Sequence, residues 1–134
     1  MMMNRGWGRV VFVSSESALQ IPVEMVHYGM TKLAQLAVAR GFAEATAGSG
    51  VTVNSILPGP TRSEGVGQFV RDLVGHTSDA GKIFMETYRP SSLLRRLAEP
   101  REVANLAVYL SSHQAAATTG SALRVDGGLI RNVV

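Results

Sequence analysis

Three residue types at fixed intervals first suggest chemistry. The segment "VFVSSESALQIPVEMVHYGMTKLAQLAVARG" (11–41) places Ser15 at the end of an apolar run, Tyr28 thirteen residues later, and Lys32 four residues after that. Residues four apart on a helix share one face, about one turn from each other. A phenol ordinarily titrates near pH 10, too high for a base at neutral pH. An ammonium group beside it favours the phenolate. Such a pair can exchange a proton with an alcohol or a carbonyl. A serine hydroxyl at a strand tip could hydrogen-bond the same oxygen, and parallel α/β sheets form their sites at that end of the strands. The motif is weak alone, because Tyr and Lys are ordinary residues of helix surfaces.

The elements that must hold these groups can be read from the pattern around them. Arg9–Ser15 is a β-branched apolar run whose near-continuous hydrophobicity suggests a strand buried on both faces. Tyr28 to about Ala47 lacks proline and is rich in Ala, Leu and Met, which predicts a helix. Leu33, Ala34, Leu36 and Ala37 spread around most of its circumference, so it should be covered on more than one side. Gly48–Gly50 ends it. Val51–Leu57 reads as a second strand, stopped by "PGP". The segment from Thr61 to Leu97 is irregular and glycine-containing, with short helices expected around Phe69–Val74 and Ala80–Tyr88. "PREVANLAVYLSS" opens with proline in its first turn and reads as a helix. Ser121–Gly128 reads as a third strand closing in a glycine turn.

Strand, helix, strand, helix, strand predicts a βαβαβ parallel sheet with right-handed crossovers, half of a doubly wound Rossmann-like α/β fold. The first strand would present an apolar edge, which native proteins cover.

Composition limits the alternatives. The 134 residues suit one small domain, and 46% hydrophobic with 17% charged residues describes a folded chain. The absence of cysteine excludes disulfides and thiolate metal sites, and no metal is expected. The net charge of +3 is carried by scattered arginines, with only Arg95-Arg96 adjacent, which argues against a nucleic-acid face. No apolar run approaches a membrane span, so the expected location is cytoplasmic.

Strand-"SS" followed by Tyr28-Gly29-Met30-Thr31-Lys32 resembles the catalytic segment of the short-chain dehydrogenases/reductases, with their common Ser-to-Tyr spacing. "NSILPGPTRS" (54–63) is similar to the family's proline-glycine loop, "EPREVANLAVYLSS" to its last helix, and "TGSALRVDGG" (119–128) to its final strand and turn. The resemblance covers nearly the whole chain in the right order. It implies that Ser15, Tyr28 and Lys32 are catalytic. It implies that Tyr28, Lys32, Pro58, Gly59, Thr61 and Ser63 contact NAD or NADP. It divides the domain into a catalytic segment (9–63), a substrate lid (64–97) and a final helix and strand (99–128). The substrate would be a small molecule carrying a hydroxyl or carbonyl. A homo-oligomer through the Tyr28–Ala47 helix or the exposed first strand is implied as well.

The family's glycine-rich pyrophosphate turn, its ribose-reading residue and its catalytic asparagine have no counterpart in the sequence. The chain thus corresponds to a carboxyl-terminal half, and no measurable hydride transfer is expected from it in isolation. The competing function is a non-catalytic oligomerisation or partner-binding half-domain.

Other residues have plainer readings. Ser14 is a structural neighbour. His27 lines a pocket or faces water, and Glu16 borders the substrate entrance or faces water. Asp126 forms a turn, and Trp7 packs near the start of the first strand. Met25, Met30 and Met85 border a pocket or fill a core or interface; for Met30 the filling role is preferred.

Overall fold

The computed structural model describes residues 1–133. Seven main elements follow in order: β1 (Gly8–Val13), α1 (Val26–Ala45), β2 (Val51–Pro58), α2 (Glu64–Val74), α3 (Ala80–Tyr88), α4 (Pro100–Ser111) and β3 (Ala122–Val125). Short 3-10 turns at Glu16–Ala18 and Val23–Met25 join β1 to α1.

The strands form one parallel sheet in the order β1-β2-β3. Val10 and Phe12 pair beside Val53 and Ser55, and Ser55 to Pro58 run beside Ala122 to Val125. Side chains alternate across a strand, so the two faces of the sheet have different partners. Val10, Phe12, Val51 and Val53 pack with Ala39 and Ala43 of α1. Val11, Ile56 and Leu123 pack with Val103, Leu106, Ala107 and Leu110 of α4. The sheet is therefore sandwiched between helices, as a βαβαβ unit requires.

The doubly buried strand is β2, not β1. Seven of the eight β2 residues are buried, whereas β1 is half-buried along most of its length. The physical reason is position: β2 has a strand on each side, and β1 has one. Buried Asn54 pins the centre, donating to Thr118 O (2.8 Å) and accepting from Ser121 N (3.2 Å).

Helix α1 also differs from expectation. Only Gly29 and Ala39 are buried, while Met30 and Phe42 are 61% and 53% exposed. Among the described residues the sheet covers one side of α1 and nothing covers the other. No described helix is long and apolar enough to cross a membrane.

The segment between β2 and α4 is more ordered than its composition implied. Its first helix begins earlier, at Glu64, because Ser63 caps it by accepting from Val66 N (3.3 Å). Helices α2 and α3 share their own core of Val70, Ala80, Phe84, Met85 and Leu97. The excursion leaves and returns at one point: Thr61 and Ala98 form a parallel bridge, with Arg62 N donating to Ala98 O (2.7 Å) and Ala98 N to Pro60 O (2.9 Å).

Candidate active site

The carboxyl ends of β1 and β2 open onto a cavity of about 270 Å³. Its wall includes Ser15, Tyr28 and Lys32 together with Pro58, Gly59 and Thr61. Six of the seven residues that the sequence singled out thus meet in one place. The seventh, Ser63, lies outside the wall and caps α2.

Each element has a reason for its position. β1 ends at Val13, where Ser14 N makes a last bond to Ile56 O (2.9 Å). The Ser14 hydroxyl then donates to the Lys32 carbonyl (2.9 Å), tying the strand tip to α1. Ser15 is extended (φ −164°, ψ 155°) and caps the following 3-10 turn, its Oγ accepting from Ser17 N (3.1 Å). Gly29 lets that turn sit against α1. A Cβ there would lie 2.7 Å from Ile21 Cγ2 and 2.8 Å from the Ser17 carbonyl oxygen. Gly59 does the same for the loop after β2, where a Cβ would lie 2.8 Å from the Asp126 backbone. Thr61 folds back onto that loop and donates to Gly59 O (2.8 Å).

The Lys32 ammonium is held by the Val13 carbonyl (3.1 Å) and Gln35 Oε1 (3.3 Å). It stands 5.5 Å from the centre of the Tyr28 ring, within cation–π range. The amine and the phenol are therefore neighbours on α1, as their spacing predicts.

Behind Ser15 lies a buried charge cluster that local spacing did not reveal. Glu16, only 4% exposed, accepts the Ser15 hydroxyl proton at Oε2 (2.5 Å). Its other oxygen is 3.9 Å from Nε of Arg89, which follows α3. Arg89 is 6% exposed, donates to Glu24 (2.9 Å) and stacks over Phe84 at 5.2 Å. Burial pushes the Glu16 carboxyl above the ordinary carboxylate range, against the opposing hydrogen bond from Ser15 and the charge of Arg89. Of the two readings for Glu16, the structure selects the cavity wall. Arg89, Glu24, Phe69 and Phe84 were missed: the Arg89 ion pairs cross from the lid to the catalytic segment, the two phenylalanines reach the cavity from within the lid, and no short motif encodes either.

The remaining candidates take plain positions. Met25 lines the cavity, Met85 fills the α2–α3 core, and Met30 is exposed rather than core. His27 is exposed. Trp7 packs against His113 at 5.2 Å, near the start of β1. The Asp126 carboxylate accepts from Gly128 N and Ile130 N (3.0 Å each), which fixes the glycine turn.

Comparisons with known proteins agree with this architecture. A family model described as enoyl-(acyl carrier protein) reductase matches residues 1–130. The chain is 41% identical over 136 residues to the uncharacterized oxidoreductase YvaG of Bacillus subtilis (strain 168), covering 98% of this chain and 52% of YvaG. The crystal structure of L-sorbose reductase from Gluconobacter frateurii, complexed with NADPH and L-sorbose, superposes with a TM-score of 0.86 at 27% identity, over 98% of this chain and 51% of that one. YwfH, an NADPH-dependent reductase involved in bacilysin biosynthesis, shares the fold with a TM-score of 0.88 at 22% identity, over 98% of this chain and 50% of that one. The chain belongs to the short-chain dehydrogenase/reductase family. It spans about half the length of the relatives it matches.

Proposed function

We propose that this chain carries the catalytic and substrate-binding half of an NAD(P)-dependent oxidoreductase acting on a hydroxyl or carbonyl group. The observation that supports this reading most is the single cavity walled by Ser15, Tyr28, Lys32 and the Pro58–Thr61 loop. A relative named as an oxidoreductase, and a structural neighbour that is a reductase complexed with NADPH, support it further.

In this reading Ser15 hydrogen-bonds the reacting oxygen, Tyr28 exchanges its proton, and Lys32 stabilises the phenolate by its charge. The residues present fit the nicotinamide half of the cofactor. Lys32 and Tyr28 would hold its ribose side, and Pro58, Gly59 and Thr61 would hold its amide side, with Ser63 at the outer margin. When bound there, the nicotinamide gives or takes a hydride at the carbon that bears the reacting oxygen. Helices α2 and α3 form the substrate lid, with Phe69 and Phe84 offering apolar surface to the substrate body. In this reading the domain comprises a catalytic segment (9–63), a substrate lid (64–97) and a final helix and strand (99–128), and it works in a cytoplasmic setting.

Fluorescence titration of NADH and NADPH tests the proposal, using this chain alone and fused to the amino-terminal half of YvaG. Enhancement in the fusion, lost in Lys32→Ala, is the expected result. A correctly folded fusion that binds neither cofactor, or binds equally well without Lys32, would refute it.

A second reading draws on the uncovered face of α1 and the open edge of β1. Their exposed apolar residues (Val13, Val26, Met30, Leu33, Phe42) favour association with a second copy, by a helix-to-helix or edge contact. Light scattering after size exclusion should give a dimer that Phe42→Lys and Met30→Lys disrupt. A dimer without any cofactor binding in the fusion would leave the oligomerisation role as the function.

A further inference from the structure

Glu16 is an unusual residue to find beside the reacting hydroxyl. It is a carboxyl, it is more than nine-tenths buried, and one oxygen is committed to Ser15. We propose that Glu16 is a positioning residue that sets the direction of the Ser15 hydrogen bond, and so decides whether Ser15 offers the cavity a proton or a lone pair.

Ser15 has one proton and two lone pairs. Its Oγ already accepts from Ser17 N (3.1 Å), which uses one lone pair. With Glu16 ionised, the carboxylate can only accept, so the serine proton is drawn toward it. Ser15 then presents only a lone pair to the cavity, which gives no hydrogen bond to a carbonyl oxygen or to an alcohol oxygen whose proton goes to Tyr28. With Glu16 protonated, the pair holds one more proton. The carboxylic acid donates to Ser15 Oγ, and the serine proton is free to reach a carbonyl oxygen. Hydride transfer in either direction needs that second arrangement, because the reacting oxygen gives or takes its one proton at Tyr28 and can only accept from Ser15.

The surroundings keep both forms within reach. Arg89 faces Glu16 from the lid at 3.9 Å, a distance that gives charge attraction without a hydrogen bond. Its Nη1 is spent on Glu24 and on the Tyr88 carbonyl. The other titratable groups on the same cavity are Tyr28 and Lys32 of α1, and the Lys32 ammonium is anchored on Val13 O and Gln35. Burial favours the neutral acid, whereas Ser15 and Arg89 favour the carboxylate. The titration is therefore a balance of opposed effects, and Ser15 supplies the largest of those holding the charge.

The proposal rests on the reading of Ser15 as the hydroxyl that faces the reacting oxygen, and its first test does not depend on turnover. The full chain labelled with ¹³C at glutamate side-chain carboxyls is titrated by NMR, with Glu16→Gln identifying the Glu16 signal. Glu16 should titrate above the other glutamates. Ser15→Ala should move its midpoint higher still, and Ser15→Thr, which keeps the hydroxyl, should restore it. An ordinary midpoint that Ser15→Ala leaves unmoved would overturn the proposal.

The second test uses the YvaG fusion. Carbonyl reduction should rise as pH falls through the Glu16 midpoint, by roughly tenfold for one gained hydrogen-bond donor. Glu16→Gln, whose amide nitrogen can donate to Ser15 Oγ while its oxygen faces Arg89, should flatten that limb, while Glu16→Ala should lose rate at every pH. A Glu16→Gln profile identical to wild type would contradict the proposal. A fusion that binds no cofactor would instead refute the proposed function and leave the NMR result to decide the role of Glu16.

Discussion

Replacing Arg89 by methionine separates the charge of this residue from its bulk. Methionine keeps most of the apolar stem that packs on Phe84 and removes the guanidinium that faces Glu16 and Glu24. Breaking a buried ion pair from one side costs about 3–5 kcal/mol, because the remaining charge is left in a poor solvent. Glu24 is partly exposed and Glu16 can take a proton, so the lower end, about 3 kcal/mol, is expected. At a slope of about 1.5 kcal/mol per molar urea, this is a fall of about 2 M in the unfolding midpoint. The sign of the pH dependence follows from linkage. The folded-state pKa of Glu16 lies above its unfolded value of 4.5, so the protonated acid's contribution is fully present below 4.5 and is lost as pH rises through the folded value. Removing Arg89 raises that folded value further. The deficit of Arg89→Met should therefore be small near pH 4.5 and largest at neutral pH, and Arg89→Met/Glu16→Gln should recover part of it. Urea melts of the three proteins at the two pH values provide the measurement. An equal loss at both pH values, with no recovery in the double variant, would refute the ionic explanation and leave only packing.

Two further outcomes test the frame around the site. Gly29→Ala should destabilise by about 1–3 kcal/mol despite alanine's better helix propensity, since the new Cβ meets Ile21 and the Ser17 carbonyl oxygen. It should also shift the NMR signals of Ser15–Ser17, and a gain in thermal midpoint would contradict this. At the start of α4, Glu102 accepts from Glu99 N (2.7 Å) and both terminal nitrogens of Arg96, which holds its carboxyl down to about 2. Its contribution is present above the unfolded value of 4.5 and is lost as pH falls toward 2. Glu102→Gln should therefore flatten the acid limb of the stability curve; an unchanged limb would show that the bond does not matter.

Much of this was legible in the sequence because the signals were local. The Tyr28–Lys32 pair depends only on helical pitch. The order of strands and helices depends only on runs of hydrophobicity and on the breaks at Gly48–Gly50 and Pro58–Pro60. What could not be read was set by distance along the chain. Apolarity alone does not distinguish an edge strand from a central one, so β1 looked as buried as β2. Glu16 was ambiguous because its environment is completed by Arg89, on the far side of the lid. Arg89 itself stands before a proline in an irregular stretch, and nothing nearby marks it as buried. Ser63 matched a family position yet caps α2, since a serine before Glu64 also serves the helix start.

The central claim is that the tips of β1 and β2, with one face of α1, form a site for the nicotinamide half of the cofactor. Reduced nicotinamide mononucleotide, titrated into the isotope-labelled chain to about 1 mM and above, tests it most directly, because even weak binding shifts amide signals in that range. The account predicts shifts centred on Ser15, Tyr28, Lys32, Gly59 and Thr61 that vanish in Lys32→Ala. Shifts confined to other parts of the chain, or the same shifts in Lys32→Ala, would contradict it.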